Sequence, residues 1–127
     1  MNGGINMGYE SRLFITNVHR RKETNESSAW IYAEKIADIR MSCMENSFVC
    51  LFNKDIDYKL FVDNDEEDTD TDKYGKHMKS ASIPEIMTWL EEVMKRDNYR
   101  RLAPLYGLLS GFNLGQWDCL EVVHYGY

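Results

Sequence analysis

Seven carboxylates lie within ten residues of this sequence, at positions 63–72, and no basic side chain lies among them. Closely spaced carboxylates can bind a divalent cation, or they can present a negative surface to a basic partner. We therefore take residues 63–72, called the acidic segment below, as the candidate partner-binding site. Its acidic residues are Asp63, Asp65, Glu66, Glu67, Asp68, Asp70 and Asp72.

Whether the acidic segment binds a divalent cation can be tested against the spacing of ligands in known calcium loops. An EF-hand loop requires oxygen ligands at positions 1, 3 and 5, glycine at position 6 and glutamate at position 12. A loop starting at Asp68 has Lys73 at position 6 and Lys79 at position 12, and a loop starting at Asp63 ends on Tyr74. Both frames fail, so we predict no metal site and no cofactor here.

Two interpretations of the acidic segment remain open. Carboxylates along an exposed edge can imitate a nucleic-acid backbone and enter a groove that arginine and lysine line for phosphates. Alternatively, the segment is a solvated loop without a partner, as runs of like charge often are.

The cysteine and histidine residues form no recognisable catalytic or zinc site. Cys43, Cys50, Cys119 and His124 lack the pair of ligands about two to four residues apart that a zinc knuckle needs. His124 follows Cys119 within one predicted strand, too far along an extended chain for a nucleophile–base hydrogen bond. We expect buried free thiols in a reducing compartment, and we assign no catalytic residue.

A basic cluster lies at the junction of two predicted helices and consists of Lys95, Arg96, Arg100 and Arg101. With Arg100 and Arg101 as phosphate clamps and the acidic segment as a metal site, a small metal-dependent enzyme acting on a nucleotide or nucleic acid is one alternative function. The simpler interpretation is two exposed helix faces with local ion pairs.

The chain has 127 residues, of which 43% are apolar, so it can bury one hydrophobic core. We expect a disordered extension at 1–9 and one domain at 10–127. No apolar run approaches the about 18 residues that cross a bilayer, and no signal peptide is evident, so we expect a cytoplasmic protein. Residues 55–72 hold nine of the 21 acidic and one of the 15 basic side chains, which leaves the remainder at a formal charge of +2.

Hydrophobic patterns place the secondary structure. Residues 30–41 fit a strand slightly better than a helix. Further strands are predicted at 11–19, 58–62 and 119–125, and the apolar run at 48–52 is either a buried strand or a segment packed over the edge of the sheet.

The helical region has clearer local signals than the strands. Ser82 and Glu85 have the capping-box spacing, which predicts the start of a helix there. A second helix should either be kinked or begin only near Ala103, because Pro104 removes an intrahelical hydrogen bond, and it should end before Gly111.

This order of elements predicts an α+β fold. We expect an antiparallel or mixed sheet of about four to five strands, with two consecutive α-helices packed on one face. The acidic segment would then be an exposed loop between a strand and the helices.

Two stretches of the chain resemble small orphan proteins that bacteriophages and prophages of Gram-positive bacteria encode. The first is the opening, from Gly8 to Ile15, and the second combines Tyr74-Gly75-Lys76 with the helix pair and the aromatic ending His124-Tyr125-Gly126-Tyr127. The resemblance implies a phage accessory protein, and anti-CRISPR inhibitors are the best-known group of such proteins. It transfers no catalytic residue.

We therefore expect a phage-type binding protein that inhibits a host defence protein through the acidic segment, in the cytoplasm of the host. Its partner would be a basic, nucleic-acid-handling protein such as a CRISPR effector or another nuclease. We expect neither direct nucleic-acid binding nor membrane binding. Besides the enzyme, the other alternative is a structural or oligomerising phage component, and a homodimer is compatible with either function.

Overall fold

Five strands form one antiparallel sheet in the computed structural model, in the order β2-β1-β5-β4-β3. The structure describes residues 9–22, 29–63, 67–97, 100–112 and 115–127. The strands are β1 (Tyr9–Lys22), β2 (Ala29–Met44), β3 (Lys54–Asp55), β4 (Lys79–Ala81) and β5 (Leu120–Gly126). The helices are α1 (Asn46–Val49), α2 (Ile83–Asp97) and α3 (Ala103–Phe112), with a 3₁₀ turn at Arg100–Leu102. The predicted α+β class is confirmed.

One prediction falls almost wholly outside the described residues. The disordered extension expected at 1–9 lies outside them except for Tyr9, which begins β1. Among the described residues, no helix is both long enough and apolar enough to span a membrane.

β1 lies between β2 and β5 and buries side chains on both of its faces. Leu13 and Ile15 belong to the core on the face that carries α2 and α3. Phe14 and Val18 belong to a second core on the opposite face. Because side chains alternate along a strand, one central strand serves both cores.

The start of α2 forms as the sequence predicts. The amide of Glu85 donates to Ser82 Oγ over 3.3 Å, and the amide of Ser82 donates to Glu85 Oε1 over 3.2 Å. The two residues thus satisfy main-chain donors that the first turn of a helix leaves unpaired. The apolar stripe of α2 then packs into the helix-side core through Ile83, Ile86, Leu90 and Val93.

α3 completes the helical layer and contributes Leu105 and Leu109 to the same core. It begins at Ala103, in agreement with the effect expected of Pro104. It does not end before Gly111 but continues to Phe112. That predicted stop is wrong because Gly111 does not adopt the left-handed conformation of a helix C′ residue.

The opposite face of the sheet is covered by residues 56–62, which cross it without joining it as a strand. Tyr58, Leu60 and Val62 are buried at alternate positions, as predicted, and pack in the core around Phe14. Within this segment only Leu60 makes a β-bridge, and it is isolated. The strand predicted at 58–62 is therefore wrong, because its alternation reflects burial against the sheet and not pairing at its edge.

The strand, one of the two alternatives predicted for residues 48–52, is also wrong, because residues 46–49 form the single-turn helix α1. The amides of Phe48 and Val49 both donate to the carbonyl of Glu45, over 3.0 and 3.2 Å. The rings of Phe48 and Phe52 lie 5.3 Å apart and share the helix-side core. In a strand, the Cα atoms of these residues would be about 13 Å apart.

Residues 30–41, for which a strand was predicted with little preference over a helix, lie in β2, and this strand contains a bulge. Ile15 pairs with Ala37 and Thr16 pairs with Lys35, which leaves Ile36 as the extra residue. The alternation of side chains therefore changes phase at the bulge. This change of phase explains why neither a period of two nor a helical period fits the whole segment.

Candidate binding surface and adjoining cleft

A buried arginine holds the beginning of the acidic segment. Arg12 in β1 donates to the two carboxylate oxygens of Asp38, over 2.8 Å from Nε and 2.6 Å from Nη2. Its Nη1 donates to Asp63 Oδ1 over 3.2 Å. The guanidinium lies over the rings of Phe14 and Tyr125, 5.1 and 5.9 Å from their centres. Asp63 is therefore part of a structural anchor.

The charges in this anchor stabilise each other. Burial alone would raise the pKa of Asp38, but the hydrogen bonds and the charge of Arg12 outweigh it and hold that pKa below its ordinary range. The hydrogen bond to Asp38 likewise raises the pKa of Arg12, against the opposing effect of burial. Both groups are charged at neutral pH.

Main-chain hydrogen bonds hold residues 67–70, the described middle part of the acidic segment, at Thr69 and Asp70. Leu60 and Thr69 each donate their amide to the carbonyl of the other over 2.8 Å. The amide of Met78 donates to the carbonyl of Asp70 over 2.8 Å. This part of the segment is thus tied both to the chain before it and to the chain after it.

The acidic side chains of this middle part face outward. Glu67 and Asp68 are exposed, and Asp70 is half-buried. No basic residue in the described part of the chain forms an ion pair with any of these three carboxylates. Asp65 and Glu66, which the sequence also assigns to the site, lie outside the described residues.

The end of the acidic segment is a turn that Asp72 organises. Asp72 Oδ1 accepts hydrogen bonds from the amides of Tyr74 and Lys76, over 2.9 and 3.0 Å. Gly75 has a φ of +81°, a left-handed conformation that glycine adopts without strain. The turn lies against β5, where a Cβ on Gly126 would come within 3.2 Å of Asp72 Oδ2. Asp72, like Asp63, has a structural role.

A cleft of about 530 Å³ opens beside this turn and was not expected from the sequence. Part of its lining is a stretch of the helix-side sheet face, where Lys79 of β4 pairs with His124 of β5. Asn46 and Phe52 line it from α1 and the residues after it, and Tyr74 lines it from the turn. The available signal in the sequence was His124, a polar residue on an otherwise apolar face of the last strand.

His124 in the cleft is held in its uncharged form. Its Nε2 lies 2.8 Å from Ser11 Oγ, and its ring centre lies 5.2 Å from that of Phe52. Burial lowers the pKa of His124 to about 4, although the nearby charge of Asp72 acts in the opposite direction. The imidazole therefore adds no positive charge to the cleft at neutral pH.

A buried carboxylate, Glu121 of β5, was also not expected. Tyr58 donates its hydroxyl hydrogen to Glu121 Oε1 over 2.8 Å, and Arg20 and Lys54 lie 3.5 and 3.7 Å from Oε2. Burial raises the pKa of Tyr58 above its ordinary range, and the charge of Glu121 adds to that effect. This cluster joins the segment that covers the sheet to β5, so we assign it a structural role.

The cysteines and the basic cluster differ from expectation. Cys50 and Cys119 are free and exposed, so the prediction of buried thiols is wrong for both. Arg101 Nη1 donates to the carbonyl of Ser42 over 2.8 Å and so joins the 3₁₀ turn between α2 and α3 to β2. The side chain of Arg100 lies outside the described part. In the described ranges, no three His, Cys, Asp or Glu residues are grouped so that they could hold a metal ion.

Comparison of the chain with protein-family models, with curated proteins and with solved structures finds no match. The functional argument therefore depends on the chemistry of the acidic segment and of the cleft beside it.

Proposed function

We propose that this protein is a binding protein that docks on a basic partner protein through the acidic segment. The observation that carries this proposal is that Glu67, Asp68 and Asp70 have no cationic partner in the described chain, while main-chain contacts fix the chain around them. A surface that is already ordered loses less conformational entropy on binding than a free loop does. Its negative charge would also accelerate encounters with a positive partner.

The resemblance to phage accessory proteins suggests the class of partner. A host defence protein that handles nucleic acid carries arginine and lysine side chains for phosphate groups, and these side chains can equally bind carboxylates. A protein docked there would exclude the nucleic acid and so inhibit its partner in the host cytoplasm. A CRISPR effector or another nuclease is the first partner to test.

The test compares two variants that have the same net charge. In the surface variant, Glu67, Asp68 and Asp70 are changed to lysine. In the control variant, three exposed acids outside the acidic segment, Glu34, Glu45 and Glu92, are changed to lysine. Both variants and the original protein are immobilised and exposed to a bacterial host lysate at low and at high salt. Any captured protein is purified, and its affinity is measured by calorimetry.

We expect the original protein and the control variant to capture the same basic protein, more weakly at high salt. The surface variant should bind it at least about 100-fold more weakly, because each reversed charge turns an attraction into a repulsion. The purified partner should lose its nuclease activity when the original protein is added. Equal affinity of the surface and control variants would contradict the proposal.

A further inference from the structure

The cleft beside Asp72 contains hydrogen-bond acceptors that no described group uses. Asp72 binds main-chain amides through Oδ1, and its Oδ2 has no described donor. His77 Nε2 lies 2.7 Å from the carbonyl of Ile56 and must donate to it, so Nδ1 is an acceptor when the ring is uncharged. The side-chain amide of Asn46 adds a carbonyl oxygen to the lining. A guanidinium group, with five N–H donors and no acceptor, matches such a set.

The aromatic part of the lining suits the same ligand. Tyr74 and Phe52 both line the cleft, and Tyr74 is 60% exposed. A planar guanidinium stacks on aromatic faces more readily than an ammonium group does. The protein already uses this combination for its own Arg12, which lies over two aromatic rings while it binds carboxylates and a carbonyl oxygen.

The net charge of the protein favours a cation over an anion in the cleft. Lys79 and Asp55 lie 4.0 Å apart, so their opposite charges offset each other. In the turn, Lys73 and Lys76 oppose a cationic ligand, and Asp72 offsets only one of them. The whole chain carries a formal charge of −6, so an anion would approach against the field of the protein as a whole.

We propose that the cleft binds an arginine side chain of the basic partner. This inference rests on the proposed function and assigns a separate contact within it. The exposed carboxylates of the acidic segment attract the partner, and the cleft then holds one of its arginines between the carboxylate of Asp72 and the aromatic lining. An arginine buried in a pocket is a common source of lasting affinity at protein interfaces.

The inference can be tested without the partner. Nα-acetyl-arginine amide, Nα-acetyl-lysine amide and adenosine monophosphate are titrated separately into the protein, and amide NMR shifts are recorded. We expect the arginine compound to shift the amides of Asp72, Tyr74 and Gly126 with a Kd on the order of 1 mM, the affinity typical of a ligand this small. The lysine compound should bind several-fold more weakly.

Three variants test the assigned contacts. Asp72→Asn keeps the oxygen that accepts the two turn amides but removes the charge, and it should weaken arginine binding about tenfold. Asp68→Asn removes the same charge outside the cleft and should change the affinity by less than about twofold. Lys76→Gln should strengthen binding of the arginine compound, whereas it would weaken binding of a phosphate.

The outcomes separate this inference from the proposed function. Shifts outside the cleft, tighter binding of adenosine monophosphate than of the arginine compound, or equal effects of Asp72→Asn and Asp68→Asn would each overturn the arginine site. None of these results would affect capture of a partner by the acidic segment. Conversely, failure of that capture would leave the measured affinity for the arginine compound intact.

Discussion

Arg12 and Asp63 are 51 positions apart in the chain, and the guanidinium of one lies 3.2 Å from the carboxylate of the other. This contact gives the first residue of the acidic segment a structural role, and Asp72 has one at the other end. The acidic segment is therefore fixed at both ends, and its described carboxylates without an ion pair, Glu67, Asp68 and Asp70, lie between them. A run of like charges in the sequence thus contains both structural carboxylates and unpaired ones.

Replacing Arg12 tests the anchor. Arg12→Met keeps much of the side-chain length but leaves Asp38 with only its longer contact to Lys35, over 3.7 Å. We expect the free energy of unfolding to fall by about 2 kcal/mol, less than for a fully buried ion pair, because Lys35 and solvent still offset part of the charge of Asp38. Urea unfolding followed by circular dichroism measures this change.

A second arginine substitution provides the control. Arg40 lies on the neighbouring strand, is exposed and lies over the ring of Tyr127 at 5.8 Å. Arg40→Met should cost no more than about 1 kcal/mol, because an exposed cation–π contact is weak. Equal losses for the two variants would mean that Arg12 is not an anchor and that its contacts with Asp38 and Asp63 add little.

The parts of the fold that were predicted correctly are those that residues close together in the sequence determine. The capping box at Ser82 and the late start of α3 at Pro104 follow from local hydrogen bonding, which a short stretch of sequence specifies. The segment around Leu60 shows the limit of such reasoning. Its alternating burial is real, but whether an extended segment joins a sheet or crosses its face depends on the rest of the fold.

The sequence likewise predicted only the part of the candidate site that depends on local composition. Exposure of Glu67 and Asp68 follows from charge density alone. The structural role of Asp63 could not be read from the sequence, because its partner Arg12 meets it only in the folded chain. The cleft was missed for the same reason, since His124 reaches its lining only through the pairing of β4 with β5.

The contact between Tyr58 and Glu121 gives a second prediction. Tyr58→Phe removes the hydroxyl that donates to a carboxylate only 6% exposed. We expect a loss of about 2 kcal/mol in unfolding free energy, because a buried charged acceptor loses its short hydrogen bond. Tyr106→Phe is a matched control, as it removes a tyrosine–glutamate hydrogen bond of 3.1 Å at the surface. The control should leave the urea midpoint unchanged, and a similar shift in both variants would contradict the prediction.

The half-buried imidazole of His124 makes stability depend on pH in a defined window. Its pKa is about 4 in the folded protein, against an ordinary value of 6.5 that applies when the chain is unfolded. Between these values the unfolded chain binds the additional proton, so stability falls as the pH is lowered from 6.5 towards 4. The loss attributable to this residue reaches about 3 kcal/mol.

The variant His124→Gln isolates this effect, because glutamine can still hydrogen-bond to Ser11 but does not titrate. Urea unfolding of both proteins from pH 8 to pH 4 gives two stability curves, and the carboxylates that they share cancel in the difference. We expect the difference to be constant above about pH 7 and to shift in favour of the variant as the pH falls. The low pKa of Asp38 contributes in both proteins and is lost only at more acidic pH. A difference that stays constant down to pH 4 would show that folding does not lower the pKa of His124, and the cleft would then carry an additional positive charge at mildly acidic pH.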